Sequence, residues 1–550
     1  MIEENKEKKK TGIIRRILKW IGLGLLAALI IGALAFDAPW KVIALLFIAL
    51  AAHTILPKSA VKWFWLSVGA VVVVLIIWVF LPDEDGHWRP YTFDEELAAL
   101  EAKYAVPDEE NAVAIYNQLL ADYNENTIAP NLSDPNIIYL TRSEPWSSND
   151  YPQVAEWLKS QESTIAKLME ASKFEKCIFP IVADVTAFGE RSKILTRVRH
   201  WAFLLMYAAN NDIAEGRFNQ AIEKNLTVLQ MAKHMCQQPI MIDMLVGIAI
   251  EALATKQLNR FVVTGDVTEE HLNVIEKAVA EIRHDWDFDL PRSLECEKLM
   301  FKNFLGMFYV VNSDGEIRLN PGIAIKAMMA RLPEDMKNKI TPKYWQKKRM
   351  KVSTIWAWFY MPSTPQQASE IIDAKFKKCY AMAEPDFDWQ RESPEVLPFL
   401  TQWDFRRISF DFNYFIERSI SMLGESYYGI HDLYLRAIAE QRGSQILIAL
   451  RRYKNKIGHW PKQLEDIEDT TPAEIFVDPI NGDSFIYKLT EDNFTLYSKG
   501  KNGIDEGGEY ETKSSDDYLK IETIKDDWMI WPIKSKTSAL QEVKKNDEQR

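Results

Sequence analysis

Three apolar stretches come first along the chain. Trp20 to Phe36 passes seventeen residues without a charge and Trp63 to Leu81 passes nineteen, while Val42 to Leu56 is a shorter run that contains His53. Either longer run suffices to cross a hydrocarbon layer of about 30 Å as a helix. Backbone groups in that layer must be paired internally, which selects the helical form. The pattern predicts three transmembrane helices within residues 13–82, with Trp20, Trp40, Trp63, Trp65 and Trp78 near their ends, where amphipathic rings favour the interface. Beyond residue 83 the spacing changes to apolar positions three and four apart, the period of helices with one buried face. Val113, Tyr116, Leu119, Leu120 and Tyr123 make one such stripe, which must pack on another helix. Ile194 to Phe261 continues the pattern with breaks near Asn210 to Gly216 and at Gln238 to Pro239, and predicts consecutive antiparallel helices. Around residue 431 a helix through Leu433, Ile438, Ile446, Leu450 and Tyr453 stops at Gly458, with Pro461 just beyond. FIYKL and FTLYS follow, separated by TEDN, and predict an antiparallel hairpin.

Charge orients this layout. Residues 1–82 carry 10 basic and 4 acidic side chains out of 66 and 78 in the 550-residue chain. The basic tail over 1–12, extended by Arg15, Arg16 and Lys19, belongs on the cytoplasmic side, and three crossings place everything from residue 83 on the exoplasmic, periplasmic side of the inner membrane. Ala33-Leu34-Ala35 after the first apolar run also fits a signal-peptide cleavage site, which leaves the large region on the same side. The remainder is acidic and excludes generic nucleic-acid binding, so the partners expected are the membrane and other envelope proteins.

The fold class expected is multi-domain. Transmembrane helices over 13–82 precede a mainly α-helical exoplasmic domain over 83–430. A small α+β module with an antiparallel hairpin follows over 431–535, and a polar tail over 536–550 closes the chain. Within the helical region, Gly216, Phe218 and Ala221 fit the core of one tetratricopeptide helix pair around 194–237, where small residues let two helices approach. Thr268 in GDVTEEHL predicts a helix cap. Leu305 to Met361, with its basic run KYWQKKRMK, reads as a less regular connection.

Little local chemistry is visible. The eight histidines, at 53, 87, 200, 234, 271, 284, 431 and 459, form no HExxH pattern, and no phosphate loop, dinucleotide fingerprint or nucleophile elbow is present. Cys177, Cys236, Cys296 and Cys379 form no CxxC pair, which excludes a zinc knuckle, and read as small buried hydrophobes, with one long-range disulfide as the alternative. Asp285, Asp287 and Asp289 in HDWDFD, like Asp386 and Asp388 in EPDFDW, alternate carboxylates with aromatics and read as helix starts or solvated turns. Arg292, Glu295 and Glu297 read as surface ion pairing.

The C-terminal order of features carries a resemblance. ALRRYKNKIGHWPKQLEDI, VDPINGDSFIYKL, FTLYSKGKNGIDEGG and DDWMIWP resemble the globular domain of the major pseudopilin of type II secretion systems. The matching positions are Tyr453, Gly458, Trp460, Pro461, Asp478, Pro479, Gly482, Ser498, Gly500, Asn502 and Gly503. The chain is also similar to large uncharacterised membrane-anchored proteins of planctomycete-type bacteria, including Ile242 to Ala252. The pseudopilin resemblance implies a calcium-binding loop, and by position its ligands are Asn502, Asp505 and Asp527, with a carbonyl near Tyr497 or Ser498. Asn502 stands where the family has Asp, and a polar insertion from Tyr510 to Lys525 separates the two halves of that loop. Three spans and some 350 residues before the module exclude assembly into a pilus. The resulting expectation is a non-catalytic scaffold or accessory protein of an envelope complex. The alternatives are an envelope hydrolase, with a cleft in 190–300 and His200, Glu295 or Asp287 converging on it, and a membrane sensor of a small ligand.

Overall fold

A computed structural model describes Ile30, residues 40–55 and scattered positions to 73, then 88–124, 130, 134–181, 188–320, 360–384, 386–389, 412–491, 493–514 and 521–533. Helix α1 (Trp40–Ile55) coincides with the second apolar stretch and has 16 residues. Among the described residues no helix is long and apolar enough to cross a membrane. The first apolar run, apart from Ile30, much of the third and the flanking basic residues lie outside the described set, as do KYWQKKRMK and the polar tail.

The described part is mostly helical with small antiparallel sheets. After a two-residue strand β1 (Arg89–Pro90) come α2 (Asp94–Tyr104), α3 (Val113–Ala121), α4 (Pro135–Ser143), α5 (Pro152–Ser160) and α6 (Glu162–Ala171). The longer α7 (Phe188–Ala214), α8 (Phe218–Cys236) and α9 (Met241–Thr264) form the centre, breaking where the sequence pattern breaks. α10 (Glu269–Ala280) opens on the predicted cap: Thr268 Oγ1 accepts the His271 N–H at 3.3 Å, and the His271 ring accepts the Thr268 N–H in return. α11 (Trp286–Gly306), α12 (Pro365–Tyr380) and α13 (Phe412–Ile457) complete the helices.

Gly216 serves the turn between α7 and α8 differently from expectation. Its φ of +72° demands glycine, whereas a Cβ there would meet nothing within 4 Å. The close helix approach occurs instead at Gly247 of α9, where a Cβ would lie 2.5 Å from Cys236 Sγ and 2.9 Å from the Ala232 carbonyl of α8.

Two further features depart from the sequence reading. Leu305 to Met361 contributes strands β2 (Tyr309–Val311) and β3 (Ile317–Leu319), which pair antiparallel around Gly315, while β1 pairs with β2 on its other side. Strands of three residues are too short to show an alternation. Positions 430 and 431 both lie inside α13, a helix of 46 residues. Its C-terminal half buries Ile446, Leu447 and Leu450 completely, although Leu433 of the predicted stripe is 44% exposed.

The C-terminal hairpin forms as expected: β4 (Ile486–Leu489) pairs antiparallel with β5 (Phe494–Ser498) from Ile486↔Tyr497 to Leu489↔Phe494. β8 (Trp528–Trp531) adds to the other edge of β5. The polar insertion makes its own two-stranded ribbon, β6 (Tyr510–Ser514) with β7 (Ile521–Asp526). One continuous apolar core contains Tyr116, Trp201 and Leu258 of the helices together with Leu450, Phe494 and Trp531 of the C-terminal part. A second core gathers Leu290, Ile372, Ile416 and Tyr427 from α11, α12 and the first half of α13. The helix α13 thus lends one half to each core.

Candidate functional site

The calcium loop anticipated from resemblance is a compact turn region between β5 and β6. Gly500 and Gly503, at φ +65° and +68°, allow it to fold back on the β7–β8 junction. Four side chains stitch it. Asp526 accepts the Lys501 and Asn502 N–H groups, Glu506 accepts those of Asp526 and Asp527, and Asp527 Oδ2 accepts those of Glu506 (2.8 Å) and Gly508 (2.7 Å). Asn502 Oδ1 accepts the Ile504 N–H at 2.7 Å, while its amide donates to Glu506. The ribbon β6–β7 brings Gly508 and Asp527 together rather than holding them apart.

The three residues assigned to the ion fit it unequally. Asp505 is exposed and committed to Tyr497 (2.6 Å) and to Lys488 (2.9 Å), contacts that hold its carboxyl at about 2. Asn502 has spent its oxygen on the turn. Asp527 is fully buried and its Oδ1 has no hydrogen-bond partner. Burial first, then the nearby Glu506 and Asp505 charges, push its pKa up against the pull of the two N–H donors. Among the described residues no group of three or more His, Cys, Asp or Glu side chains is disposed to hold a metal ion. The loop is held by its own hydrogen bonds, and of the three assigned residues only Asp527 keeps a buried oxygen without a partner.

The residues named for a hydrolytic cleft do not meet. His200 binds the Tyr123 hydroxyl at 2.7 Å and stacks on its ring. Glu295 pairs with Lys103 and accepts from Tyr104 at the surface, and Asp287 is exposed. A different set surrounds a cleft of about 640 Å³ between α6, α8, α10 and the start of α11. Glu251 of its lining pairs at 3.1 Å with His284, which lies behind the wall, and both side chains are nearly buried. Asp289 bonds Arg292 at 2.7 Å and accepts the Tyr434 hydroxyl from α13 at 3.1 Å. Burial alone would lower the pKa of His284, but the charge and hydrogen bond of Glu251, with Asp289 behind it, turn the shift upward. Asp289 is raised by burial against the opposing pull of Arg292. His284 and Asp289 both stand in HDWDFD and Arg292 follows it, whereas Glu251 and Tyr434 stand in no motif that pointed to chemistry.

The aromatic halves of HDWDFD and EPDFDW find each other. Trp286 packs edge-on against Trp389 at 5.3 Å, Trp389 stacks on His431 at 4.5 Å, and Tyr434 closes the group against Trp286. Asp285 caps α11 by accepting the Phe288 N–H, as a helix start requires, while Asp386 and Asp388 stay exposed. Glu297 is no surface group: burial pushes its carboxyl up to about 7, and it accepts the Tyr427 hydroxyl. Arg292 is likewise buried, and only Glu295 pairs at the surface as expected. His234 is a satisfied core histidine between the Tyr116 hydroxyl (3.1 Å) and the Phe174 carbonyl (2.8 Å). All four cysteines are free, with Cys177, Cys296 and Cys379 buried, in keeping with small core hydrophobes. No family model matches this chain, and neither a curated protein nor a solved structure was found to be similar to it.

Proposed function

We propose that this chain is a membrane-anchored scaffold or accessory protein of an envelope complex, inserted in the cytoplasmic membrane with its large C-terminal region on the periplasmic side. The observation that carries the reading is α13. Its 46 residues rise about 70 Å at 1.5 Å each, and both cores are built on it. A partner docked at the pseudopilin-like end is thereby held in fixed relation to the helical region. The membrane anchor draws support from α1, which leaves Leu45, Phe47, Ile48 and Ile55 exposed, and from Trp63, Trp65 and Leu66 further on, also exposed. The cationic N-terminal tail sets the orientation. A second reading, a sensor or hydrolase working in the helical region, draws on the cleft lined by Glu251 and Asp289, with His284 paired to Glu251 behind its wall.

Gentle detergent extraction of the native membrane, followed by affinity copurification, separates the two. The scaffold predicts other envelope subunits in fixed proportion to this chain. Recovery of the chain alone would overturn the scaffold and favour the cleft.

Calcium belongs to the proposal through Asp527, whose buried, unpartnered oxygen suits a hard cation. Melting the full chain with calcium and with chelator tests it. An ion bound to the folded form alone raises the melting temperature by mass action. The shift is expected in the wild type and in Asp505→Ala, whose carboxylate is already paired, and should vanish in Asp527→Ala. No shift in the wild type removes the ion.

A further inference from the structure

A second cavity, of about 460 Å³, lies on the seam between the helical region and the C-terminal sheet. Met206, Leu253 and Ile530 supply apolar lining, and Tyr139, Tyr510 and Trp528 supply aromatic lining. Arg142, Lys256 and Arg260 contribute three cations against one carboxylate, Glu144. That carboxylate is committed to Arg260 at 3.0 Å. Arg142 instead lies 4.3 Å over the Phe203 ring, and Lys256 lies 5.9 Å from the centre of the Trp528 ring. Neither has a carboxylate within ion-pair distance among the described residues. Arg142 therefore borders an aromatic and apolar cavity without a counter-ion among the described residues, while the charge of Lys256 is offset only at longer range by the buried Glu440 behind Trp528.

An independent feature lies in the same wall. Gln257 is buried, and its Oε1 has no hydrogen-bond partner. Its amide orientation is set by its neighbour: Asn210 donates its amide to the Arg142 carbonyl at 2.7 Å, so Asn210 Oδ1 must accept, and it accepts from Gln257 Nε2. Oε1 is left as a dry acceptor, a state that costs free energy unless a donor arrives.

We propose that this cavity binds an organic anion with a planar apolar body and a hydrogen-bond donor, the anionic group meeting Arg142 and Lys256, the body lying against Trp528 and Tyr510, and the donor reaching Gln257. The assignment rests on neither the membrane reading nor the pseudopilin resemblance. An anionic lipid headgroup and a free aromatic acid share this chemistry.

Isothermal titration of the full chain with 6-hydroxynaphthalene-2-sulfonate, corrected for empty micelles, tests it. Saturable binding near one per chain is expected. Affinity should fall at least tenfold in the Arg142→Gln/Lys256→Gln double variant and several-fold for naphthalene-2-sulfonate, which lacks the donor. In Gln257→Leu the two sulfonates should bind alike. Should the double variant fail to fold, raising salt in the wild type replaces it: the sulfonate should weaken while uncharged 2-naphthol does not. Displacement by dihexanoylphosphatidylglycerol supports the site with a lipid source, and displacement by soluble aromatic acids alone supports it with a soluble one. Absence of saturable binding, or an affinity indifferent to both the cation substitutions and salt, overturns the proposal.

Discussion

Replacing Asp243 with alanine is expected to destabilise the protein by about 3–5 kcal/mol, the usual cost of leaving one partner of a buried ion pair uncompensated. Asp243 and Arg191 are 0% and 3% exposed at their side chains. The guanidinium meets the carboxylate through Nε at 3.0 Å and through Nη2 at 2.5 Å. It also donates to Gln238 and lies 5.0 Å from the Phe179 ring. Gln238 in turn binds the backbone of Cys177 and Phe179. The pair therefore locks the start of α9 to the start of α7 and to the segment before it. With the carboxylate gone, Arg191 must remain buried as a lone cation or tear this junction open. Denaturant melts of Asp243→Ala give the cost directly. The volume-matched pair Arg191→Met/Asp243→Leu should recover most of it, since replacing both charges removes the desolvation problem. A loss below about 1 kcal/mol would mean that water reaches the pair.

The second large effect is expected at Phe494. Its ring is 1% exposed and touches Trp460 edge-on at 4.7 Å, Tyr487 at 5.4 Å and Trp531 at 6.4 Å. Phe494→Ala removes the centre of the C-terminal packing and should cost about 3–5 kcal/mol. Because Phe494 shares one core with Trp201 and Leu258, the melt should remain a single transition, with fluorescence and circular dichroism moving down together. Two transitions, of which only one shifts, would show that the sheet unfolds separately from the helices and would undercut α13 as a rigid connector.

The junction between helices and sheet is also where the boundary drawn at residue 431 departs from the structure. A change of pattern marks where strands begin to appear, but it does not mark where the core ends. The helix that leads into the strands began at Phe412, and its apolar faces are shared by both regions.

Local signals were enough wherever the physics is local. The hairpin β4–β5, the Thr268 cap, the stop at Gly458 with its φ of +95°, and the breaks between α7, α8 and α9 follow from residues a few positions apart. Turns and caps depend on backbone angles and neighbouring N–H groups, which short strings of residues specify. The excess of positive charge before Trp20 and the acidic remainder are likewise sequence properties. Tertiary structure decided what lies across the helices. Arg191 finds Asp243 52 positions away, Glu251 finds His284 33 positions away, and Tyr434 reaches Asp289 across 145. The fate of each candidate calcium ligand was also decided there. Asp505 and Asp527 look alike in the sequence, yet one sits exposed beside Lys488 and the other is sealed with an unpartnered oxygen. Burial and the surrounding charge determine what a carboxylate can do, and both arise only when distant segments pack.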